Sequence, residues 1–513
     1  MQVGHSELTT IADPKSGSTA LQRGIEKESL RVTPSGALSP LPHPKNLGAA
    51  LTHPNITTDF SEAQLELITG VHTSADNCLA ELQRVHQFVY QNLDNEILWP
   101  SSMPCLMGND NSIPIGQYGS SNIGMAKTVY RRGLGVRYGR LMQTISGIHY
   151  NFSVPDTLWQ TLGVQTQQQV TERYFGLIRN FRRWSWLLLY LFGASPAVCK
   201  SFTKNMSHNL QAFDEGSQFL PHATSLRMGP LGYQSSAQSD LNISYNSLDV
   251  YAQSMISALT TEYPEYAAHG VTQEGNYIQL NTAIIQIENE FYGTIRPKRP
   301  TLAGERPVTA LKARGVEYVE VRCVDLNPFL PLGLDAQQIH FLDTFLLLCL
   351  LSDSPPDSVD EINSLTANQL AVVEEGRAAG LRLQQDTHTN TTLDSWAGEL
   401  LAGCRDIAAK LDEAQQHNGY STALKAQEAK LHNSELTPSA QVLKQMQSEQ
   451  IPFFRFSMNK AIQHAQDMQA TPLTAAELAN AQQQVSESFQ KQQAIEDADT
   501  VPFDEFLKDY IAL

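Results

Sequence analysis

Charged residues two or four apart, most of them carboxylates, recur in four short, partly apolar runs between Arg23 and Arg322. The runs are Gly24-Ile-Glu-Lys-Glu-Ser-Leu-Arg31, Asp59-Phe-Ser-Glu-Ala-Gln-Leu-Glu66, Ile284-Ile-Gln-Ile-Glu-Asn-Glu-Phe-Tyr292 and Tyr318-Val-Glu-Val-Arg322. A strand sends successive side chains to opposite faces, so residues i and i+2 share a face. Read as strands, the runs pair Glu26 with Glu28, Glu62 with Glu66, Glu288 with Glu290 and Glu320 with Arg322. Two carboxylates roughly 4–6 Å apart repel, and one takes up a proton unless a cation intervenes. A hard divalent ion removes that conflict by binding oxygen directly. An all-oxygen supply suits Mg²⁺ or Mn²⁺ and offers Zn²⁺ no sulfur. A single such pair is most often a solvated face; four in one chain favour a metal-binding wall. Asp59 has the wrong parity to join Glu62 and Glu66 on a strand, so if all three act together this stretch is helical or bent.

Two further groups could work beside the acids. In Ser146-Gly-Ile-His-Tyr-Asn-Phe-Ser153, alternation puts Ile148, Tyr150 and Phe152 on one face and His149 with Asn151 on the other. A lone histidine is usually structural, and a metal or phosphate contact is the second reading. Arg322 lies one pleat beyond Glu320, and Arg296-Pro-Lys-Arg299 and Tyr130-Arg-Arg132 supply more positive charge. An arginine alternating with metal-ligand carboxylates suits phosphoryl transfer, where metals bridge phosphate oxygens and a guanidinium takes developing charge. Gly133-Leu-Gly-Val-Arg-Tyr-Gly139 lacks the GK[ST] ending of a P-loop, so a nucleotide would be held through metals. Neither a serine triad nor a catalytic-cysteine signature is visible.

The elements that must position these residues are mixed. Short β-like runs alternate with helical ones from about residue 20 to 350, without a βαβ rhythm. That pattern predicts an α+β fold on an antiparallel sheet, one face packed on helices and the other lining a wet site. Asp76 to Gln91 carries a helical apolar stripe, Tyr174 to Phe192 reads as a buried helix, and Gly116 to Gly124 reads as a loop. Residues 1–19 read as a loosely structured lead, 20–352 as the catalytic core, and 353–513 as a mostly helical portion packed on it. Ser352-Asp-Ser-Pro-Pro-Asp-Ser358 marks the change.

The 513 residues carry a formal net charge of −17 and no long basic run, which argues against nucleic acid as a partner. An anionic substrate must therefore meet local arginines or bound cations. Six cysteines lie far apart with no C-x-x-C pair, which fits a reducing compartment. The N-terminus lacks the pattern of a signal peptide, and the greasiest runs are too short to span a bilayer. A monomeric cytoplasmic protein with no membrane partner is the expectation.

Several segments together resemble the glutamate–cysteine ligases of gammaproteobacterial type. They are Gln22 to Arg31, Leu51-Thr-His with Thr58 to Glu66, Met142 to Ser153, Tyr190-Leu-Phe-Gly-Ala-Ser-Pro-Ala197, Ala223-Thr-Ser-Leu-Arg227, Gln286 to Glu290, Ile295 to Arg299 and Glu317 to Arg322. They fall in consistent order from about residue 20 to 350, and the tail matches mainly at Ala498-Asp-Thr-Val-Pro-Phe503. The resemblance implies a glutamine-synthetase-like curved antiparallel sheet forming a funnel, with ATP and amino acids entering from opposite ends. It implies ATP-dependent joining of the γ-carboxylate of L-glutamate to the amine of L-cysteine through a γ-glutamyl phosphate, the first step of glutathione synthesis. By position, Glu26, Glu28, Asp59, Glu66, His149 and Glu320 resemble the family's metal ligands, with Glu320 and Arg322 catalytic. Phe60, Tyr130, Leu134, Gln143, Asn151, Arg227, Tyr233 and Tyr292 resemble its substrate pocket. The stretch from Phe202 to Pro221 is shorter than in familiar members and the N-terminal lead diverges, which leaves the motif residues untouched. A ligase using another amine and an inactive protein keeping the fold are the alternatives. Loss of a ligand carboxylate or of Arg322 would mark the latter, and all are present.

Overall fold

Apolar and polar side chains alternate along Gln22–Val32 (β1), and this strand anchors the main sheet. The other strands are Ile56–Thr58 (β2), Gln64–Ile68 (β3), Ile97–Leu98 (β4), Ile148–Ser153 (β5), Ile295–Lys298 (β6) and Tyr318–Val324 (β7). The structure, a computed structural model, describes residues 20–104, 106–232, 236–239, 241–302, 304–386 and 389–512. The expected loose lead, Cys105 and Tyr233 lie outside them. The sheet order is β6-β7-β5-β1-β3-β2, with β4 also paired to β1, and every pairing is antiparallel.

One sheet face is apolar and the other ionic, as the pleat requires. Ile25, Leu65, Leu67, Tyr150, Phe152, Val319 and Val321 are buried in the core. Against that side pack helices Ala75–Gln91 (α1), Gln167–Trp184 (α3), Trp186–Phe192 (α4) and Ala336–Leu351 (α5). The buried run expected from Tyr174 to Phe192 is thus two helices meeting at Ser185. Helix α5 is apolar on nearly every side because helices surround it. Arg23 of β1 donates to Asp343 of α5 at 2.8 Å, and the Tyr150 hydroxyl of β5 donates to the same carboxylate at 2.6 Å. Three elements are tied by one buried ion pair.

The segment beyond residue 352 is helical apart from a short hairpin of Arg382–Gln384 and Asn390–Thr392. Leu393–Gln415 (α6), Gly419–His432 (α7) and Phe453–Ala470 (α8) bury residues in the same apolar cluster as the sheet. Ala475–Ala498 (α9) then leads to Phe503–Ile511 (α10). That last helix returns to Asn122–Tyr138 (α2), where Leu507 packs with Ala126, Val129 and Leu280.

Candidate active site

A cavity of about 720 Å³ opens on the ionic face of the sheet. Strand register decides which acids reach it. In β1, Glu26 and Glu28 share a face; Glu28 lies opposite Glu66 of β3, and Glu26 opposite His149 of β5. Glu320 of β7 lies opposite Asn151 of β5 and Arg296 of β6. Asp59 joins them because the chain bends. Asp59 is two residues beyond Thr57, which pairs with Glu66, so the hairpin returns Asp59 to the Glu66 side. Glu26, Glu28, Asp59, Glu66, His149, Glu320 and Arg322 all line this one cavity.

The acids crowd closely. Ligand atoms of Glu26, Glu66 and His149 lie within 4.8 Å of one another. His149 Nδ1 is 3.1 Å from Glu26, and its Nε2 is 3.6 Å from Glu28 with no hydrogen-bond partner among the described residues. Asn151 donates to Glu26 at 2.9 Å, and the Gly147 N–H donates to Glu28 at 2.7 Å. Burial, then the neighbouring Asp59, pushes Glu28 up to about 8 despite Arg227 and Arg322. Burial, then Glu26, Asp59 and Glu28, raises Glu66 well above the usual carboxylate range. Burial and mutual repulsion thus favour the protonated forms of Glu28 and Glu66, and a bound cation would reverse that. Among the described residues, no side chain or backbone N–H donates to the carboxylates of Asp59 or Glu66. The oxygen-rich set with an orphaned imidazole nitrogen therefore fits a hard divalent ion.

The opposite margin is cationic. Glu320 accepts from Arg322 at 3.0 Å and from Lys298 at 3.1 Å, with Arg296 at 3.9 Å. Burial opposes its ionisation, yet Lys298, Arg322, His149 and Arg296 outweigh burial and hold it well below the usual range. Glu26 is also lowered: burial works against this, and the hydrogen bond from His149 prevails.

Of the expected substrate-pocket residues, Phe60, Tyr130, Leu134, Gln143 and Tyr292 line the cavity, and Gln143 donates to the Tyr292 hydroxyl at 3.1 Å. Asn151 acts on Glu26, as above. Arg227 is buried behind the wall, where it donates to the Arg322 carbonyl at 2.8 Å and lies 3.8 Å from Asp325. A Cβ on Gly147 would lie 2.0 Å from the Arg227 guanidinium, so only glycine lets that side chain pass.

Two expected pairings fail. Glu288 and Glu290 form a 3-10 turn, not a strand. Glu288 accepts from Arg306 at 2.7 Å, and Glu290 from Arg137 at 2.8 Å and Tyr138 at 2.6 Å. Glu62 sits on the hairpin turn and takes the backbone N–H groups of His43 and Gln117, each at 2.7 Å, so it braces loops instead of joining Glu66. The sequence reading missed Lys127 and Tyr510, which also line the cavity. Lys127 could have been found: with Ile123, Tyr130, Arg131 and Leu134 it makes a helical stripe.

An antiparallel sheet carrying buried acids on one face, with fixed cations at the margin, defines a site for chemistry on anionic groups. Comparison with known proteins agrees. The family model for glutamate-cysteine ligase matches residues 9–372. The chain is 50% identical over 500 residues to the glutamate–cysteine ligase of Azotobacter vinelandii, covering 95% of this chain and 94% of that protein. The enzyme of that name from Pseudomonas aeruginosa strain PAO1 is also 50% identical, over 96% of this chain and 94% of its own. A crystal structure of Francisella tularensis glutamate–cysteine ligase in complex with AMP superposes with a TM-score of 0.91 at 38% identity, covering 96% of this chain and 97% of that one. A bifunctional glutathione synthetase from Pasteurella multocida shares the fold at a TM-score of 0.70 and 23% identity, over 90% of this chain and 55% of that one. The chain belongs to the glutamate–cysteine ligase family.

Proposed function

We propose that the chain joins the γ-carboxylate of L-glutamate to the amine of L-cysteine, consuming ATP and releasing ADP and phosphate, as the first step of glutathione synthesis. The observation that carries this reading is the convergence of the six candidate ligands and Arg322 on one cavity. A carboxylate is a poor electrophile, so a phosphate leaving group is installed on it before an amine attacks. ATP and the carboxylate are both anionic, and their approach needs positive charge at the transfer point.

Glu26, Glu28, Asp59, Glu66, His149 and Glu320 would hold Mg²⁺, or Mn²⁺, which when bound supplies charge neutralisation at phosphate and carboxylate oxygens. Glu320 fixes the Arg322 guanidinium at 3.0 Å, while Arg227 holds the same residue's carbonyl from behind. Arg322 thus reaches the cavity already oriented, ready to take the negative charge of the transferring phosphoryl group and of the γ-glutamyl phosphate. Phe60, Tyr130, Leu134, Gln143 and Tyr292 line a largely aromatic part of the cavity, which would take cysteine's small side chain. Asn151 acts on substrate through Glu26, and Arg227 through the Arg322 backbone. No helix among the described residues is long and apolar enough to cross a membrane, in keeping with a proposed cytoplasmic enzyme.

The test is ADP formation by the purified protein with ATP, glutamate and Mg²⁺, with and without cysteine. Release that depends on both amino acids and on the metal is expected. Release with glutamate and another amine, but none with cysteine, would overturn the choice of acceptor. No release with any amine would overturn the reading.

A further inference from the structure

The inward stripe of α2 consists of Ile123, Lys127, Tyr130, Arg131 and Leu134, all on the cavity wall. At 1.5 Å per residue the stripe runs about 16 Å along the cavity. Its C-terminal end belongs to the aromatic pocket: a Cβ on Gly135 would sit 3.8 Å from the Phe60 ring. Lys127 and Arg131, one turn apart, occupy the middle and lie beside the acids.

Among the described residues these two cations make no direct ion pair, although both feel the charge of Glu66. Among the described residues, no carboxylate comes within ion-pair distance of Lys127, whose ammonium lies 5.6 Å from the Tyr118 ring centre. Arg131 donates only to carbonyls: that of Asp59, that of Lys127 at 3.0 Å and that of Thr58 at 3.4 Å. Its guanidinium also stacks 4.4 Å from the Tyr118 ring centre. The three carbonyls and the ring fix Arg131 in place as a standing positive charge. The strand cations Arg296, Lys298 and Arg322 of β6 and β7, by contrast, are tied to Glu320. In a chain of net charge −17, a basic pair on a cavity wall that feels Glu66 but makes no direct ion pair is free to meet an anionic ligand.

We infer that Lys127 and Arg131 form a subsite for the polyphosphate chain of the nucleotide, Arg131 as the fixed charge and Lys127 as the reaching arm. This rests on the ATP-dependent reading given above. A polyphosphate fits better than an amino-acid carboxylate for two reasons. The pair presents two cationic side chains from successive turns, their Cβ atoms about 6 Å apart, and a chain of phosphates carries several anionic groups to meet both where a carboxylate carries one. It also borders Asp59 and Glu66, the acids left without donors, so phosphate oxygens held by the pair would face the proposed metal ligands.

The experiment uses Lys127→Met and Lys127→Arg in the full chain, with circular dichroism and melting curves to verify folding. Lys127 carries no ion pair and is part-exposed, so both variants should fold. For Lys127→Met we expect the KM for ATP to rise about tenfold or more while those for glutamate and cysteine move less than about threefold. Lys127→Arg should recover most of the loss. Calorimetric titration with magnesium tripolyphosphate, which lacks the nucleoside, should show binding to the parent protein weakened about tenfold in Lys127→Met. An unchanged KM for ATP overturns the subsite. So does a larger rise for glutamate or cysteine, which would give Lys127 to a substrate carboxylate. Tripolyphosphate binding needs no turnover, so the subsite stands or falls separately from the ligase reading. That reading fails if the parent protein forms no ADP with any amine.

Discussion

At the scale of single residues, the proposed chemistry turns on Glu320. Its carboxylate is ionised because Lys298, Arg322 and Arg296 outweigh its burial, and in return it aims Arg322. Removing a preorganised charge that acts on the transition state costs far more in rate than in binding. Arg322→Ala should therefore lower kcat about a thousandfold with little change in KM for cysteine. Glu66→Gln should raise the Mg²⁺ concentration needed for half-maximal rate, because one oxygen ligand is lost. Steady-state assays over a magnesium series check both, and unaltered kinetics in either variant would refute the assigned roles. Alternation made Glu26, Glu28, His149, Glu320 and Arg322 legible in the sequence, since a pleat turns parity directly into a shared face. Glu62, Glu288 and Glu290 carry the same spacing and do other work. Their partners, such as Arg306 and Arg137, lie in other elements, and sequence spacing cannot show that a carboxylate is already satisfied.

The same limit acts on whole elements. Helix α2 supplies much of the cavity wall, yet its glycines hid it from the sequence reading. Gly133 is there because the Gln286 amide packs against it; a Cβ would lie 2.1 Å from that oxygen. Such a contact is set by tertiary packing and overrides helix propensity. The turn at Glu288–Glu290 is likewise a hub. Glu290 holds Arg137 and Tyr138, and accepts the Gln286 N–H at 2.7 Å. Gln238 in turn contacts the Tyr138 hydroxyl at 3.1 Å and accepts the Tyr292 N–H at 3.1 Å. Glu290→Gln breaks a fully buried ion pair and should destabilise the fold by about 3 kcal/mol in urea denaturation. It should also raise the KM for cysteine, because Tyr138 packs edge-on against Tyr292 at 5.7 Å between centroids. A variant with parental stability and KM would show that the turn does not brace the pocket. The apolar sheet face and the mostly helical region after residue 352 were readable, because period and composition alone decide them.

Across the whole molecule, buried neutral histidines set the tolerance to acid. Burial, then Arg31 and His53, holds His43 down to about 4; burial, then Lys491, does the same to His53. Burial, then Lys27, keeps His86 well below its ordinary value, with Lys27 Nζ at 2.7 Å from its Nε2. Unfolded histidines titrate near 6.5, so in this range the unfolded chain binds protons that the folded chain refuses. The contribution of these histidines to stability should therefore fall as the pH drops from about 6.5 to 4, by up to about 3 kcal/mol each for His43 and His53, while the raised carboxyls of Glu28 and Glu66 act in the opposite sense. Denaturation midpoints of the parent and of His53→Gln across that range check this, and an equal pH slope in both would contradict it. How the C-terminal segment reaches the cavity was not legible, because long-range docking leaves no local period. Asp499 caps α2 through the Asn122 N–H at 2.5 Å, Leu507 packs on that helix, and the Tyr510 carbonyl takes a hydrogen bond from Arg306 at 3.3 Å. Tyr510 then completes the cavity wall. A nascent chain can thus have its acidic strands paired while one flank of the chamber stands open to the ribosome's surroundings. Translation itself delays assembly of the working chamber until α10 has emerged.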